Sequence, residues 1–281
     1  MLTFYIYFKV SSVFKLPRVT RFKERRKWIE LKYTRNYLVR DLDCVSRAEM
    51  LCYHYKFLNN NMSDDFLDAI LNDRVVLWKS KQSIYKFEII LNFPRFDREG
   101  DLSLEFAFNG MTLYNMSFTI VPGNYIGISH KSVLLITRSQ GSRDRFRFIK
   151  FATKSLNDIS PLSILLTAAQ SIATALGLKT AAVSAKFQIV AGWENDGHDY
   201  IARYDETWIS MGGEKTNDMV FELPAKPGGK PLSLTSRSHR SRTKKKRQYK
   251  IELYNHVLDT FGQQRLHQDP PFFNCGLGGS R

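Results

Sequence analysis

The chain is expected to fold as a mixed α+β protein, and three observations say so. Apolar residues recur at helical spacing between residues 45 and 71. From residue 84 they alternate, or run in short blocks, around an Asn-Gly pair. An apolar helix opened by Ser-Pro then leads into a short buried strand, an aromatic helix and a last strand. The expected organisation is a basic, largely helical region over 1–80 and an α+β core over 81–223, built as a mixed sheet flanked by helices. A basic flexible linker over 224–248, a C-terminal helix over 249–262 and a disordered tail over 263–281 follow.

Each element has a local reason. Ser46 with Glu49 has the spacing of a capping box, and Val45, Ala48, Leu51, Cys52, Tyr55 and Leu58 continue as a helical stripe. Asn59-Asn-Asn61 is expected to be a turn, after which Ser63 caps a helix carrying Phe66, Leu67, Ile70 and Leu71. Ile84 to Phe93 alternates loosely, and Pro94 to Gly100 breaks it. Leu102, Leu104, Phe106 and Phe108 share one face of a strand. Asn109-Gly110 predicts a tight hairpin, because both turn positions need positive φ. Met111 to Val121 is apolar on both faces, as a central strand is. Ser132 to Thr137 is a further strand, with a basic loop at Arg138–Arg147 after it.

Ser160-Pro161 opens a helix at the position where proline's missing N–H costs nothing, and Gly177 closes it. Its polar residues fall largely on one side, which predicts a half-buried helix. Thr180 to Ser184 is a short buried strand. Tyr200, Ile201, Tyr204, Trp208 and Met211 line a helix closed by Gly212-Gly213, and Asp218 to Leu223 is the last strand. A terminal helix carries Tyr254, Val257, Leu258 and Phe261.

Composition narrows the function classes. No run of about 18 apolar residues occurs, so a membrane-spanning helix is not expected. The aromatic N-terminus lacks a basic segment and a cleavage site of small residues, which argues against a signal peptide. Cys44, Cys52 and Cys275 make neither a paired framework nor a metal spacing, as expected for reduced thiols in the cytoplasm. The six histidines do not cluster, and His198-Asp199 is a weak metal signal on its own.

The net charge of +15 is concentrated in two places: +8 in residues 15–40 and +10 in residues 225–251, leaving −3 for the rest. Residues 15–40 interleave cations with Phe22, Trp28, Tyr33 and Tyr37. Two readings stand there: an amphipathic helix covering the core, or a surface on acidic lipid with Lys23, Arg25 and Arg26 on the phosphates. Lys244-Lys-Lys-Arg247 would attract any polyanion, nucleic acid included, but no base-reading motif accompanies it.

Several segments appear in the order found in the VirK/YbjX-like family: Tyr114-Asn-Met-Ser-Phe118, Ile136-Thr-Arg-Ser-Gln-Gly141, Ala152-Thr-Lys154 and the Pro161–Gly177 helix. Ala182-Val-Ser184, Tyr204-Asp205 with Trp208 and Gly212-Gly213, and the basic stretch before Tyr249 follow. From about Arg47 to about Phe261 the chain resembles that family. The resemblance implies a role in the Gram-negative envelope: outer-membrane integrity, antimicrobial-peptide resistance or display of virulence proteins. It implies no defined reaction. The chain departs from the family pattern at Thr137, Arg138 and Ser139, where Gly-Gly-Leu is usual. It departs again at Ala185 and Gln188, and at Ile201 and Arg203, where family polar residues are replaced.

The succession of elements also resembles the GNAT-type acyltransferase fold, and Tyr204 to Gly213 is similar to its Tyr-x-x-x-Gly-Phe helix end. That likeness implies a splayed sheet admitting an acyl thioester, with acyl-CoA or an acyl carrier as ligand. The glycine-rich phosphate loop is missing, and Gln140-Gly141-Ser142-Arg143 is only an echo of it. The candidate ligand-binding residues are Arg138, Gln140, Gly141, Arg143, Ser184, Tyr204 and Trp208. Arg145, Arg147 and Lys150 extend the basic set. Asp205 is the candidate general base, against the plainer reading of a surface carboxylate beside a core tryptophan. Three function classes follow: an envelope protein binding an acidic lipid or acyl ligand on the cytoplasmic side, peripheral to the inner membrane; an acyltransferase; and a nucleic-acid binder acting through its tail.

Overall fold

The computed structural model describes residues 2–266 apart from 73, 82–83, 95–97, 190–196, 229–232 and 234–235. Cys275, the 267–281 part of the tail, Glu194 and the side chains of His198, Asp199, Ile201 and Arg203 lie outside the described residues.

Helices α1 (Leu2–Val13), α2 (Thr20–Arg25), α3 (Cys44–Asn61) and α4 (Asp64–Asn72) form the N-terminal region, with a 3₁₀ turn at Ile29–Thr34. The Asn59-Asn-Asn61 stretch, expected as a turn, is the last turn of α3. The α3 N-cap is Asp43, whose Oδ1 accepts from Val45 N at 2.8 Å and Ser46 N at 3.0 Å. Ser46 hydroxyl bonds Asp43 as well, so the expected Ser46–Glu49 box is displaced by a better acceptor three residues earlier. Ser63 caps α4 as expected, its Oγ accepting from Phe66 N at 3.3 Å.

Residues 15–40 are a short helix and a 3₁₀ turn instead of one amphipathic helix. Phe22, Ile29, Tyr33, Tyr37 and Leu38 are buried, so the apolar half of the pattern faces the core. Several cations of this stretch are used internally. Arg18 and Arg21 hold Asp64, Lys23 holds Glu30 at 2.9 Å, and Arg26 donates to Pro94 O at 2.9 Å while lying over the Phe93 ring.

An eight-stranded, mostly antiparallel sheet follows in the order β1-β2-β3-β4-β5-β6-β8-β7. Its strands are β1 (Val75–Lys79), β2 (Phe87–Asn92), β3 (Leu102–Phe108), β4 (Met111–Pro122), β5 (Ser132–Gly141), β6 (Lys179–Val183), β7 (Glu214–Lys215) and β8 (Val220–Leu223). β1 falls inside the region expected to be largely helical. The Asn109-Gly110 hairpin forms with φ of 47° and 80°, as two positive-φ turn positions require. Among the described residues β5 and β6 are the one parallel pair in the sheet, in register from Val133↔Lys179 to Ile136↔Ala182.

Two expectations of unstructured chain are corrected. The basic loop over 138–147 is the end of β5, a 3₁₀ turn at Arg143–Arg145 and the start of α5 (Phe146–Ser155). The flexible linker expected over 224–248 is helical from Arg240, because α8 (Arg240–Gln264) begins nine residues before the start expected at Tyr249.

α6 (Pro161–Ala175) packs across β3 to β6, and α8 lies over α6. This double cover explains why α6 is buried on its polar side too, contrary to the half-buried expectation. Thr167, Gln170 and Ser171 are under 3% exposed and fully used: Thr167 Oγ1 donates to Ser163 O at 2.9 Å, Ser171 Oγ to Thr167 O at 2.8 Å and Gln170 Nε2 to Pro224 O at 2.7 Å. Tyr254 of α8 donates to Thr174 Oγ1 at 2.7 Å. Gly177 (φ 66°) ends the segment, as expected. α7 (Gly197–Ser210) closes at Gly212, φ 89°, and α3 packs on β4 with α1 behind it. The buried apolar residues of the helical region and the sheet belong to one continuous cluster.

Candidate anion-binding cleft

Arg138, Gln140, Ser184 and Asp205, among the residues singled out in the sequence, lie toward one end of the sheet. β5 runs on to Gly141 while β6 stops at Val183, so the parallel pair parts beyond Ile136 and Ala182, with Arg138 and Ser184 next in line. A β-bulge at Thr137 helps part them: Phe118 pairs with Ile136 and Ser117 with Arg138, leaving Thr137 as the extra residue. Thr137 hydroxyl reaches the main chain of Glu99 and of Ser117 (3.2 Å), and Gln188 Nε2 donates to Thr137 O at 3.4 Å across the gap.

Most of these side chains are committed to the fold. Arg138 holds Glu99 and Gln140 with the two arms of its guanidinium. Gly141 lies so close to Tyr114 and Ile149 that a Cβ would meet them at 3.1–3.3 Å. Ser184 ties β6 to β8, its Oγ donating to Asp218 O at 2.8 Å and its N–H to Met219 O at 2.8 Å. Trp208 is fully buried with the Tyr204 ring set edge-on at 5.5 Å. Asp205 Oδ1 accepts from Ala185 N at 2.7 Å, holding the turn that leaves β6. Partial burial raises its pKa, while that N–H and the Lys215 charge pull it down. Arg143 stands apart on the exposed turn before α5.

A second feature was not legible in the sequence. A cleft of about 440 Å³ runs along α6 from Ser160 to Gln170, walled by Ser210 and Met211 at the end of α7, Pro227 and Gly228, and Thr243, Lys246, Arg247 and Lys250 of α8. Among the described residues three cations and one carboxylate, Asp158, line it, and Arg242 from just outside pairs with that carboxylate. Lys246 Nζ donates to Asp158 O at 2.9 Å and Lys250 Nζ to Gly228 O at 3.3 Å: main-chain carbonyls, not carboxylates. Burial lowers the pKa of Lys250, and Arg247 and Lys246 add to the effect. Ser160, Ser163 and Thr243 add hydroxyls, and Ile159, Leu166 and Met211 an apolar floor. Such a lining suits a small anion-bearing molecule with an apolar part. The 246/247/250 spacing on one helical face was the available signal. It needed α8 to be extended upstream before it could be seen.

A third group lies sealed in the core. Asp101, fully buried, takes Lys32 Nζ at 2.7 Å, Tyr55 hydroxyl at 3.0 Å, Thr119 hydroxyl at 3.0 Å and Tyr37 hydroxyl. Burial works to raise its pKa, but the Lys32 charge and these hydrogen bonds outweigh it and hold the carboxyl at about 2. Beside it His54 Nδ1 accepts from Ile120 N at 3.1 Å. With no solvent access this group ties the N-terminal region to β3 and β4. Among the described residues no set of three or more His, Cys, Asp or Glu side chains converges as a metal site, and no helix is long and apolar enough to cross a membrane.

Comparison with known proteins is narrow in outcome. No curated protein and no solved structure matches the chain. One family model, described as a protein of unknown function (DUF535), matches residues 9–256 and so takes in the helical region, the sheet, the cleft and most of α8. The chain therefore belongs to the DUF535 family.

Proposed function

We propose that this chain is a VirK/YbjX-like envelope protein that acts on the cytoplasmic side by binding an anionic acyl ligand, with the anionic group in the α6/α8 cleft. The observation that carries the reading is the lining of that cleft, where Lys246 and Lys250 are held by main-chain carbonyls and Asp158 is already paired with Arg242. The envelope role comes from the family resemblance alone. Strand order favours a second reading, a GNAT-like acyltransferase: that fold admits its thioester where a sheet parts, and here the parallel pair β5/β6 parts at the Thr137 bulge. Fold likeness does not establish the chemistry, and Asp205 is occupied with Ala185 N.

Isothermal calorimetry with pyrophosphate, coenzyme A and an acyl-CoA tests both. The cleft reading expects heat with the phosphate-bearing ligands, weakened at least tenfold in Lys246→Ala/Lys250→Ala. No heat at millimolar ligand, or the same affinity in the double variant, removes the cleft. Release of free coenzyme A from the acyl-CoA in the presence of an amine acceptor would favour the transferase.

A further inference from the structure

α5 presents more apolar surface than the fold covers. Its inner side is Ala152, fully buried, and Ile149, half-buried near Gly141. Phe146, Phe148 and Phe151 remain 71%, 43% and 37% exposed. The Phe148 and Phe151 rings lie 6.1 and 5.6 Å from Phe108, and Tyr85 lies 4.9 Å from Phe151, so the patch continues onto the strand ends where Ile84 is 78% exposed. Tyr85, Phe108, Phe148 and Phe151 form one connected aromatic patch, with Phe146 exposed on another side of the same helix, and such a patch on a folded chain marks a contact surface. Cations surround it: residues 143–155 hold five Lys or Arg against Asp144, and Arg143, Arg147, Lys150 and Lys154 are exposed.

We propose that this corner docks on an anionic lipid bilayer, with the phenyl rings at the boundary of headgroups and acyl chains and the cations on lipid phosphates. Charge complementarity and ring chemistry select the occupant. Phenylalanine has no polar atom to satisfy, so burial in the acyl boundary costs it nothing, and cations at its flanks stay with the headgroups. The rings meet one another and Phe108 at tilted or edge-on angles of 38°, 53° and 79°, instead of offering parallel faces on which bases would stack. The expectation from the sequence put the lipid-facing aromatics in residues 15–40. Of the rings there, Phe22, Tyr33 and Tyr37 are in the core and Trp28 is exposed. The proposal takes its membrane from the envelope reading but not its site, which is independent of what fills the cleft.

Flotation of the full chain with vesicles of phosphatidylcholine, with and without one-third phosphatidylglycerol, tests the surface. Binding is expected to the anionic vesicles only. Phe146→Ser, at a side chain that leaves the core untouched, should lower the partition coefficient at least tenfold, about 1.4 kcal/mol. Arg147→Glu/Lys150→Glu should abolish it with the rings in place, while the cleft variant Lys246→Ala/Lys250→Ala should float as the parent does. Equal binding to neutral vesicles overturns the proposal, as does unchanged flotation of Phe146→Ser. Two other results also overturn it: a dimer that dissociates in Phe146→Ser, and single-stranded RNA bound more tightly than vesicles through these same residues.

Discussion

Lowering the pH from 7 to 5 should destabilise this protein through one buried histidine. His54 is fully buried, its Nδ1 lone pair is taken by Ile120 N–H at 3.1 Å, and its Nε2 has no partner among the described residues. Burial drives its pKa down from the ordinary 6.5 to about 4; the Asp101 charge opposes this, and Lys32 partly cancels that opposition. The folded pKa lies below the unfolded one. As pH falls through 6.5 the unfolded chain therefore takes up a proton that the folded chain refuses, and stability is lost until the folded ring itself titrates near 4. Linkage puts the loss at about 2 kcal/mol by pH 5 and about 3 kcal/mol near pH 4. Urea unfolding followed by tryptophan fluorescence, at pH 7 and pH 5, measures it. His54→Asn is the control, since an amide oxygen can take over the Ile120 N–H without titrating. The variant pays its packing loss at both pH values, but the change between them should shrink by about 2 kcal/mol. An equal loss in parent and variant, or a His54 ring that titrates near 6.5 by NMR, refutes the reasoning.

Asp101→Asn should cost about 3–5 kcal/mol in urea unfolding, because it strands the Lys32 ammonium in the core. Asp205→Asn should stay within about 1 kcal/mol of the parent, its amide oxygen still accepting from Ala185 N, whereas Asp205→Ala should lose about 1–3 kcal/mol. A loss of ligand heat in Asp205→Asn at unchanged stability would return that residue to the site. Gly123→Ala should cost about 3 kcal/mol, since a Cβ would meet His130 O at 2.1 Å and Ile128 O at 2.5 Å, both main chain; thermal unfolding measures it. Maleimide labelling at neutral pH, mapped by mass spectrometry, should modify half-exposed Cys44 and spare Cys52, which is buried with its pKa pushed up to about 11.

How far the candidate site could be read in advance depended on distance along the chain. Arg138, Gln140 and Ser184 were singled out from order and spacing, and the structure does gather them at one end of the sheet. That Arg138 is held by Glu99 and Ser184 by Asp218 depends on partners 39 and 34 residues away. Of the cleft cations, Lys246 and Arg247 were visible as charge and misplaced as linker, because Lys and Arg carry no apolar period until a neighbouring helix gives them one side to face.

By itself, the sequence determined whatever rests on local chemistry. The Asn109-Gly110 hairpin follows from positive φ, the α6 start from Ser160-Pro161, its end from Gly177, and β3 from simple alternation. Tertiary structure alone decided that α6 would be covered on both sides, that β1 would extend the sheet, and that residues 15–40 would turn their rings inward. It also decided that Lys32, Asp101 and His54 would meet. Each of these depends on free energy gained only when segments distant in sequence come together: a ladder of hydrogen bonds for β1, a second apolar surface for α6, and a counter-charge for a lysine that no nearby residue supplies.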